Sequence, residues 1–244
     1  MNGWPVYDIA ADVRLRVVAG MPALPPPLQA EIDLLWGAAQ RRMRNRLFNG
    51  RVFSADTIEP HRITGHWTEF RRIVAQMDRP ELYDALRVRP LAVGGVIVGP
   101  DGVVLGRRPV GAIYQAGEWQ LAPAGSIDPG AARDDGAVDY VGQVLTEMRE
   151  ELGLPAGAVR DARALAIVEH AEGGLGSHVA DLGVALDTDL HAPAILAAHA
   201  AHGDGEYDPL LVVPLDGLAA FVAAHRDSLN RQAPVFLRRR GLLA

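Results

Sequence analysis

Cysteine is absent from this chain of 244 residues, so disulfides, thiolate zinc sites and cysteine nucleophiles are excluded together. A basic excess is missing too: 24 lysines and arginines stand against 30 aspartates and glutamates, a net charge of -6. A protein whose main partner is nucleic acid needs clustered cations to neutralise phosphates, and this balance argues against one. An acidic protein that binds a phosphorylated ligand needs a metal ion to do so. Long apolar runs are also lacking. Stretches such as Leu91 to Gly99, LAVGGVIVG, fall far short of the ~20 residues that span a bilayer. The amino-terminal MNGWPVYDIAADVRLRV has early charges and no apolar h-region, so a soluble cytoplasmic protein is the expectation. What is present, 49% hydrophobic and 22% charged residues, suffices to bury a core as one large domain or a domain with an amino-terminal extension.

The chain is organised around Leu145 to Leu154, LTEMREELGL, which spaces Glu147, Glu150 and Glu151 by three and four residues. On a helix those spacings bring the carboxylates to one edge, where they repel unless a cation sits among them. A hard divalent ion such as Mg2+ suits, because it takes carboxylate oxygens and waters and shares its coordination with substrate phosphates. Arg149 supports a plainer alternative, a solvated helix face laced by ion pairs. The flanking sequence favours the metal. Gly153 and Pro155 are a helix stop, and upstream the loop Trp119 to Gly130, WQLAPAGSIDPG, has glycines and prolines that set an irregular path. A strand, a Gly/Pro loop and an acidic helix make a cradle for a metal-bound diphosphate.

These residues resemble the box of the Nudix hydrolases, which runs Gly, five residues, Glu, seven residues, then Arg-Glu-U-x-Glu-Glu-x-Gly-U, with U aliphatic. Gly125 matches the opening glycine, and Glu147, Met148, Glu150, Glu151, Gly153 and Leu154 match the closing half. Thr146 stands where the box has arginine, and the interval from Gly125 to Glu147 is seven residues longer than usual. No glutamate occupies the middle position; Asp139 is the acidic stand-in, on an i+4 row with Gln143, Glu147 and Glu151. The extended loop, VLTEMREELGLP and the earlier LFNGRVF, Leu47 to Phe53, are similar to the branch containing the mammalian UDP-glucose and UDP-galactose diphosphatase.

The resemblance implies an α/β fold, an α/β/α sandwich with a mixed central sheet. Residues 1–88 would form an α+β extension and residues 89–244 the Nudix domain. It implies an enzyme in which Glu147, Glu150 and Glu151, with the Gly125 carbonyl beside them, hold Mg2+ or Mn2+. Glu206, in the acidic turn before a strand at Leu210 to Pro214, is the candidate to complete the metal site or act as base. Water would attack one phosphorus of a nucleoside diphosphate linked to another moiety, a nucleotide sugar such as UDP-glucose, giving a nucleoside monophosphate and a sugar phosphate. Two other readings stay open: a diphosphatase for ADP-ribose, dinucleotides or coenzyme A, and a catalytically silent nucleotide-binding module.

Along the rest of the chain, Tyr7 to Val18 reads as a strand. Pro25, Pro26 and Pro27 precede an amphipathic helix over 28–44, with Trp36 in the core and arginines at its solvated end. Leu47 to Phe70 reads as two strands turning near Pro60, with His61 and His66 as ordinary surface or core residues. Pro80 introduces a short helix. Pro100-Asp101-Gly102 is the clearest hairpin turn, and Arg107 and Arg108 follow its second strand. Strand alternation sends one of these arginines to the substrate side and the other away, phosphate contact and a plain surface pair being evenly balanced. Strands over 164–170 and 178–187 flank a glycine-rich loop. There His170, Glu172 and His178 lack a fourth close ligand and read as a hairpin beside the active site. An alanine-rich helix over 194–202, a helix from Asp216, and a tail, FLRRRGLLA, that packs back or contacts a neighbour complete the reading.

Overall fold

The computed structural model describes residues 4–112, 114–171 and 177–244. In chain order its elements are β1 (Val6–Tyr7), β2 (Arg14–Val17), α1 (Pro26–Arg42), β3 (Arg51–Glu59), β4 (Arg62–Glu69), α2 (Phe70–Asp78) and α3 (Tyr83–Leu86). Then come β5 (Leu91–Gly99), β6 (Gly102–Arg107), β7 (Trp119–Leu121), β8 (Ala124–Ser126), β9 (Ala137–Val138) and α4 (Tyr140–Leu152). The chain ends with β10 (Val159–Glu169), β11 (Ala180–Thr188), α5 (Ala192–His202), β12 (Leu210–Val213), α6 (Leu218–Ala224) and α7 (Ala233–Arg239).

The main sheet has the order β1-β10-β11-β5-β6-β12, with β8 on β5 and β7 on β6. It is mixed, since β11 and β5 run parallel while β10 and β11 run antiparallel. The apolar run of β5 is buried on both faces, as a central strand requires. On one side Val93 and Ile97 pack with Val144, Met148 and Leu152 of α4 and Ile195 of α5. On the other Val96 packs with Leu218 of α6 and Phe236 and Leu237 of α7. This is the α/β/α sandwich with a mixed central sheet that the sequence led us to expect.

A second sheet, β3-β4-β2-β9, shares the first core through Leu15, Phe53, Ile63 and Val138. Helices α1 and α2 cover a third cluster with Ile32, Val52, Ile73 and Met77. The amino-terminal segment is woven into both sheets: Val6 pairs with Val168, and Leu15 pairs with Val138.

The structure corrects several local expectations. Tyr7 to Val18 is two short strands in different sheets, separated by a turn at Ala11 and Asp12. Trp36 is only half-buried, meeting Phe70 edge-on at 6.3 Å. Helix α2, which the sequence reading missed, follows β4 directly and buries Ile73, Val74, Ala75 and Met77. His66 is buried and bonded to Asp56 at 2.9 Å, while His61 is exposed. The hairpins β3–β4 and β5–β6 turn where expected. The tail packs back, burying Phe236 and Leu237 and pairing Arg239 with Asp8 and Arg240 with Asp187. Among the described residues no helix is long and apolar enough to cross a membrane.

The sheet splits where the site lies. Strands β5 and β6 pair only at Val98–Val103 and Gly99–Gly102. Beyond that they diverge, β8 continuing along β5 and β7 along β6.

Candidate active site

Helix α4 is built by its own sequence. The Asp139 carboxylate accepts from Gly142 N–H at 2.9 Å and caps the amino terminus. Gly153 closes the other end at φ 68°, a conformation that favours glycine. Val144, Met148 and Leu152, at i+4 spacing, are buried against the sheet. That anchoring carries Gln143, Glu147 and Glu151 along a flank facing the split.

The split opens into a cleft of about 1270 Å³. Asp128, Glu147, Glu151, Asp204 and Glu206 line it together with Gly125 and Arg108. Gly125 must be glycine: a Cβ there would lie 2.2 Å from the Glu147 carboxyl carbon. Backbone and carboxylate can approach this closely only without a side chain.

Glu151 is 4% exposed. One of its oxygens accepts from Ala124 N–H at 2.9 Å and from the Tyr207 hydroxyl at 3.1 Å. Tyr207 in turn accepts from Gln120 at 2.8 Å. Burial pushes Glu151 up to about 9, and the nearby Glu147 and Glu206 charges add to it, against the lowering bonds from Ala124 and Tyr207. Glu147 accepts from the Gln143 amide at 2.7 Å. Burial, aided by the charges of Glu150, Asp128 and Asp204, pushes it up to about 7 despite that bond. Glu206 is raised by burial even though Arg108 pairs with it at 2.6 Å. Among the described residues no basic side chain pairs with Glu147 or Glu151.

The structure therefore divides the sequence candidates. Glu147, Glu151, Glu206, Gly125 and Arg108 meet at the cleft. Glu150 lies on the outer side of α4, exposed and 3.4 Å from Arg149. Consecutive helical residues diverge by about 100°, so Glu150 and Glu151 cannot share one face. The arginines separate as strand alternation requires: Arg108 enters the cleft, while Arg107 is exposed and donates to Gly117 O at 3.1 Å. Arg108 Nε is buried without a hydrogen-bond partner among the described residues. Asp139 needs correction as an acidic stand-in, because its carboxylate is spent on capping Gly142 and on Arg133 at 2.7 Å. Thr146, at the box-arginine position, donates to Gly142 O at 3.0 Å. His170 and His178 bind different carboxylates, Asp181 at 2.7 Å and Glu169 at 2.9 Å, and Glu172 lies outside the described residues.

Sequence reasoning missed Asp128, Asp204, Gln120 and Tyr207. Asp128 and Asp204 stood in acidic turns that offered a signal, but nothing local marks Gln120 or Tyr207.

No profile of a known protein family matches the chain, and no curated protein matches it. Among solved structures it is similar to the NUDIX domain of Shewanella oneidensis NrtR complexed with ADP ribose: TM-score 0.46, 16% identity, covering 68% of this chain and 97% of that one. It is similar also to a NUDIX hydrolase from Nitrosomonas europaea, with TM-score 0.43 and 18% identity over 62% of this chain and 88% of that one. A bifunctional NMN adenylyltransferase/ADP ribose pyrophosphatase from Francisella tularensis, complexed with AMP and Mn ion, gives TM-score 0.46 and 11% identity over 71% and 50% of the two chains. Overlaps of this size leave the activity to be argued from the site's own chemistry.

That chemistry suits a hard cation in kind. The donors at this end of the cleft are carboxylate oxygens, those of half-buried Glu147 and buried Glu151 having no basic partner among the described residues. As the side chains stand, no three acidic or histidine groups among the described residues are gathered closely enough to hold a metal. Glu206 is turned to Arg108, and Glu151 to Tyr207 and Ala124.

Proposed function

We propose that this cleft is the active site of a Nudix-type diphosphatase, which uses Mg2+ or Mn2+ to hydrolyse a nucleoside diphosphate linked to another moiety. The substrate we favour is a nucleotide sugar such as UDP-glucose, cleaved to a nucleoside monophosphate and a sugar phosphate. The observation that carries the reading is the pair of half-buried Glu147 and buried Glu151, which pair with no basic side chain among the described residues, in a cleft that also presents Arg108. Buried carboxylates are costly unless compensated, and such perturbed groups concentrate at functional sites.

A bound divalent ion supplies neutralising charge for the phosphates and lowers the pKa of a water. Glu147 and Glu151, with Glu206 beside them in the cleft, are the residues that would hold it or take the water's proton, while Glu150 stays outside on the solvent face of α4. The Gly125 backbone, pressed against Glu147, keeps that carboxylate on the cleft wall. Gln143 holds Glu147 and Tyr207 holds Glu151 in place through neutral donors. Arg108 binds phosphate oxygens with a guanidinium suited to two-point contact. Catalysis on this reading is mainly positioning and electrostatics.

The nucleotide-sugar preference is supported by the similarity of VLTEMREELGLP and LFNGRVF to the UDP-sugar branch. The cleft, at about 1270 Å³, exceeds the ~300–1,000 Å³ of common small-molecule pockets and leaves room for groups on both sides of a diphosphate, as in a nucleotide sugar, ADP-ribose or coenzyme A alike. The test is UMP release from UDP-glucose with and without millimolar Mg2+, beside ADP-ribose and coenzyme A. Metal-dependent UMP formation, lost in Glu147→Gln and Glu151→Gln, is the expected result. Folded protein that is stabilised by these compounds yet turns over none would be a binding module instead.

A further inference from the structure

We propose that Gln115, Asn230 and Gln232 form the subsite for the uncharged, hydroxyl-rich group attached to the diphosphate, a sugar ring. This rests on the diphosphatase reading above. The three amides line the same cleft as Arg108 and Glu147. They come from two segments, the β6–β7 connection and the turn before α7.

Two of their three contacts with one another are long, and the third is at the upper end of the ordinary range. Gln115 donates to Gln232 at 3.2 Å and accepts from Asn230 at 3.3 Å and from Gln232 at 3.5 Å. Ordinary N–H···O bonds span about 2.7–3.2 Å. Asn230 and Gln232 are 4% and 6% exposed, and a buried amide with weak partners is left with interaction energy to gain. Ligand hydroxyls entering the cleft can supply it.

Gln115 also has φ 51°, in the left-handed region that non-glycine residues avoid. Backbone outliers of this kind recur at ligand clamps. Asp181, 8% exposed, also lines the cleft, with a carboxylate oxygen that lies 2.7 Å from His170 Nε2 but has no hydrogen-bond partner among the described residues.

Sugar hydroxyls each donate and accept, and they diverge around a ring. Amides converging from two segments, with a carboxylate beyond them, match that arrangement. A nucleobase presents a flat edge and two faces. The part of the cleft lined by Phe48, Phe70 and Met43 suits it better.

The experiment compares UDP-glucose with the methyl ester of UDP, both of which would release UMP, in wild type, Gln115→Ala and Gln232→Leu. Each variant is expected to lower kcat/KM for UDP-glucose about tenfold, equivalent to about 1.4 kcal/mol, through KM. The methyl ester should stay within about twofold, the group the amides would grip being absent from it. Gln115 lies half-exposed in a turn, so its variant serves if Gln232→Leu does not fold. Parallel losses on both substrates, or no loss on either, overturn the proposal. So does a changed preference between UDP-glucose and ADP-glucose with the sugar preference intact, which would make the amides readers of the base. Calorimetric binding of the same compounds makes the comparison without turnover. A wild type that binds both but hydrolyses neither rejects the diphosphatase reading, and the subsite still falls if UDP-glucose binds no more tightly than the ester.

Discussion

Two glutamates in this molecule are equally buried and oppositely charged in tendency. Glu169 and Glu151 are each 4% exposed. Around Glu169 the protein supplies everything a carboxylate needs: Arg89 donates at 3.1 and 2.7 Å, Tyr7 donates as well, and His178 lies at 2.9 Å. Burial alone would raise Glu169, but those bonds and the Arg89 charge carry it below the usual range. Around Glu151 the donors are neutral, burial wins, and the group is pushed up to about 9. One charge is completed inside the fold, and the other, on the proposed diphosphatase reading, would be completed by a cation from outside. Burial alone does not mark a functional carboxylate; the missing counter-charge does.

Substituting each glutamate tests that contrast most strongly. Glu151→Gln should lower turnover on the order of 10²–10³-fold, the scale of losing a key electrostatic group, with little change in metal-free stability. Glu169→Gln should do the reverse, costing about 3–5 kcal/mol of stability by stranding Arg89, as read by denaturant unfolding. Equal stability losses would dissolve the comparison.

The arginines extend the contrast to phosphate. Arg108→Ala should lower kcat/KM about 10–100-fold, in line with ~1.5–3 kcal/mol for hydrogen bonds to charged groups. Arg107→Ala should change it less than about twofold, as exposed surface changes do.

The two kinds of carboxylate also differ in pH response. Glu147 and Glu151 have folded values above their unfolded one, so the folded state holds more protons. Their contribution to stability is full below about 4.5 and is lost as pH rises through about 7 and about 9. Glu169, lowered by folding, contributes above its unfolded value and loses that contribution only in acid. Stability in EDTA should therefore fall as pH rises from 5, by on the order of 1 kcal/mol per pH unit per group, up to about 7 for Glu147 and about 9 for Glu151, and the melting temperature should fall with it. Mg2+ should stabilise more at pH 8 than at pH 6, because it displaces protons. A flat profile would place the two carboxyls in ordinary surroundings. A smaller effect than at the two glutamates is expected of Tyr207→Phe, about 3–10-fold in kcat from the loss of one neutral hydrogen bond. Glu150→Gln should cost less than either Glu147→Gln or Glu151→Gln.

What could be read in advance follows the range of the interactions. Helix α4, with its apolar stripe and Gly153 stop, and the β5–β6 turn are local patterns, and both appear where expected. Asp139 shows how a correct spacing misleads: it lies on the i+4 row, yet a carboxylate just before the first helical turn folds back onto the helix's own N–H groups. That capping signal was present in the sequence. Tyr207 was not legible, because its tie to Glu151 spans 56 residues and depends on how β12 is led into the sheet. The pairing of β2 with β9 is likewise invisible locally, joining residues on either side of the whole β5–β8 region.

The divergence of β5 from β6 bears on how binding would be felt in the framework. The two ribbons, β5 with β8 and β6 with β7, share two β5–β6 ladder pairs and meet again at the Ala122-Pro123 link, where Gly95 N–H donates to Pro123 O at 2.7 Å. Arg108 follows the second ribbon, and Gly125 belongs to the first. A ligand gripped at both points is a cross-brace between them, stiffening a joint that the backbone leaves narrow. Amide-proton exchange in β7 and β8 would then slow on occupancy more than in the fully paired β10 and β11.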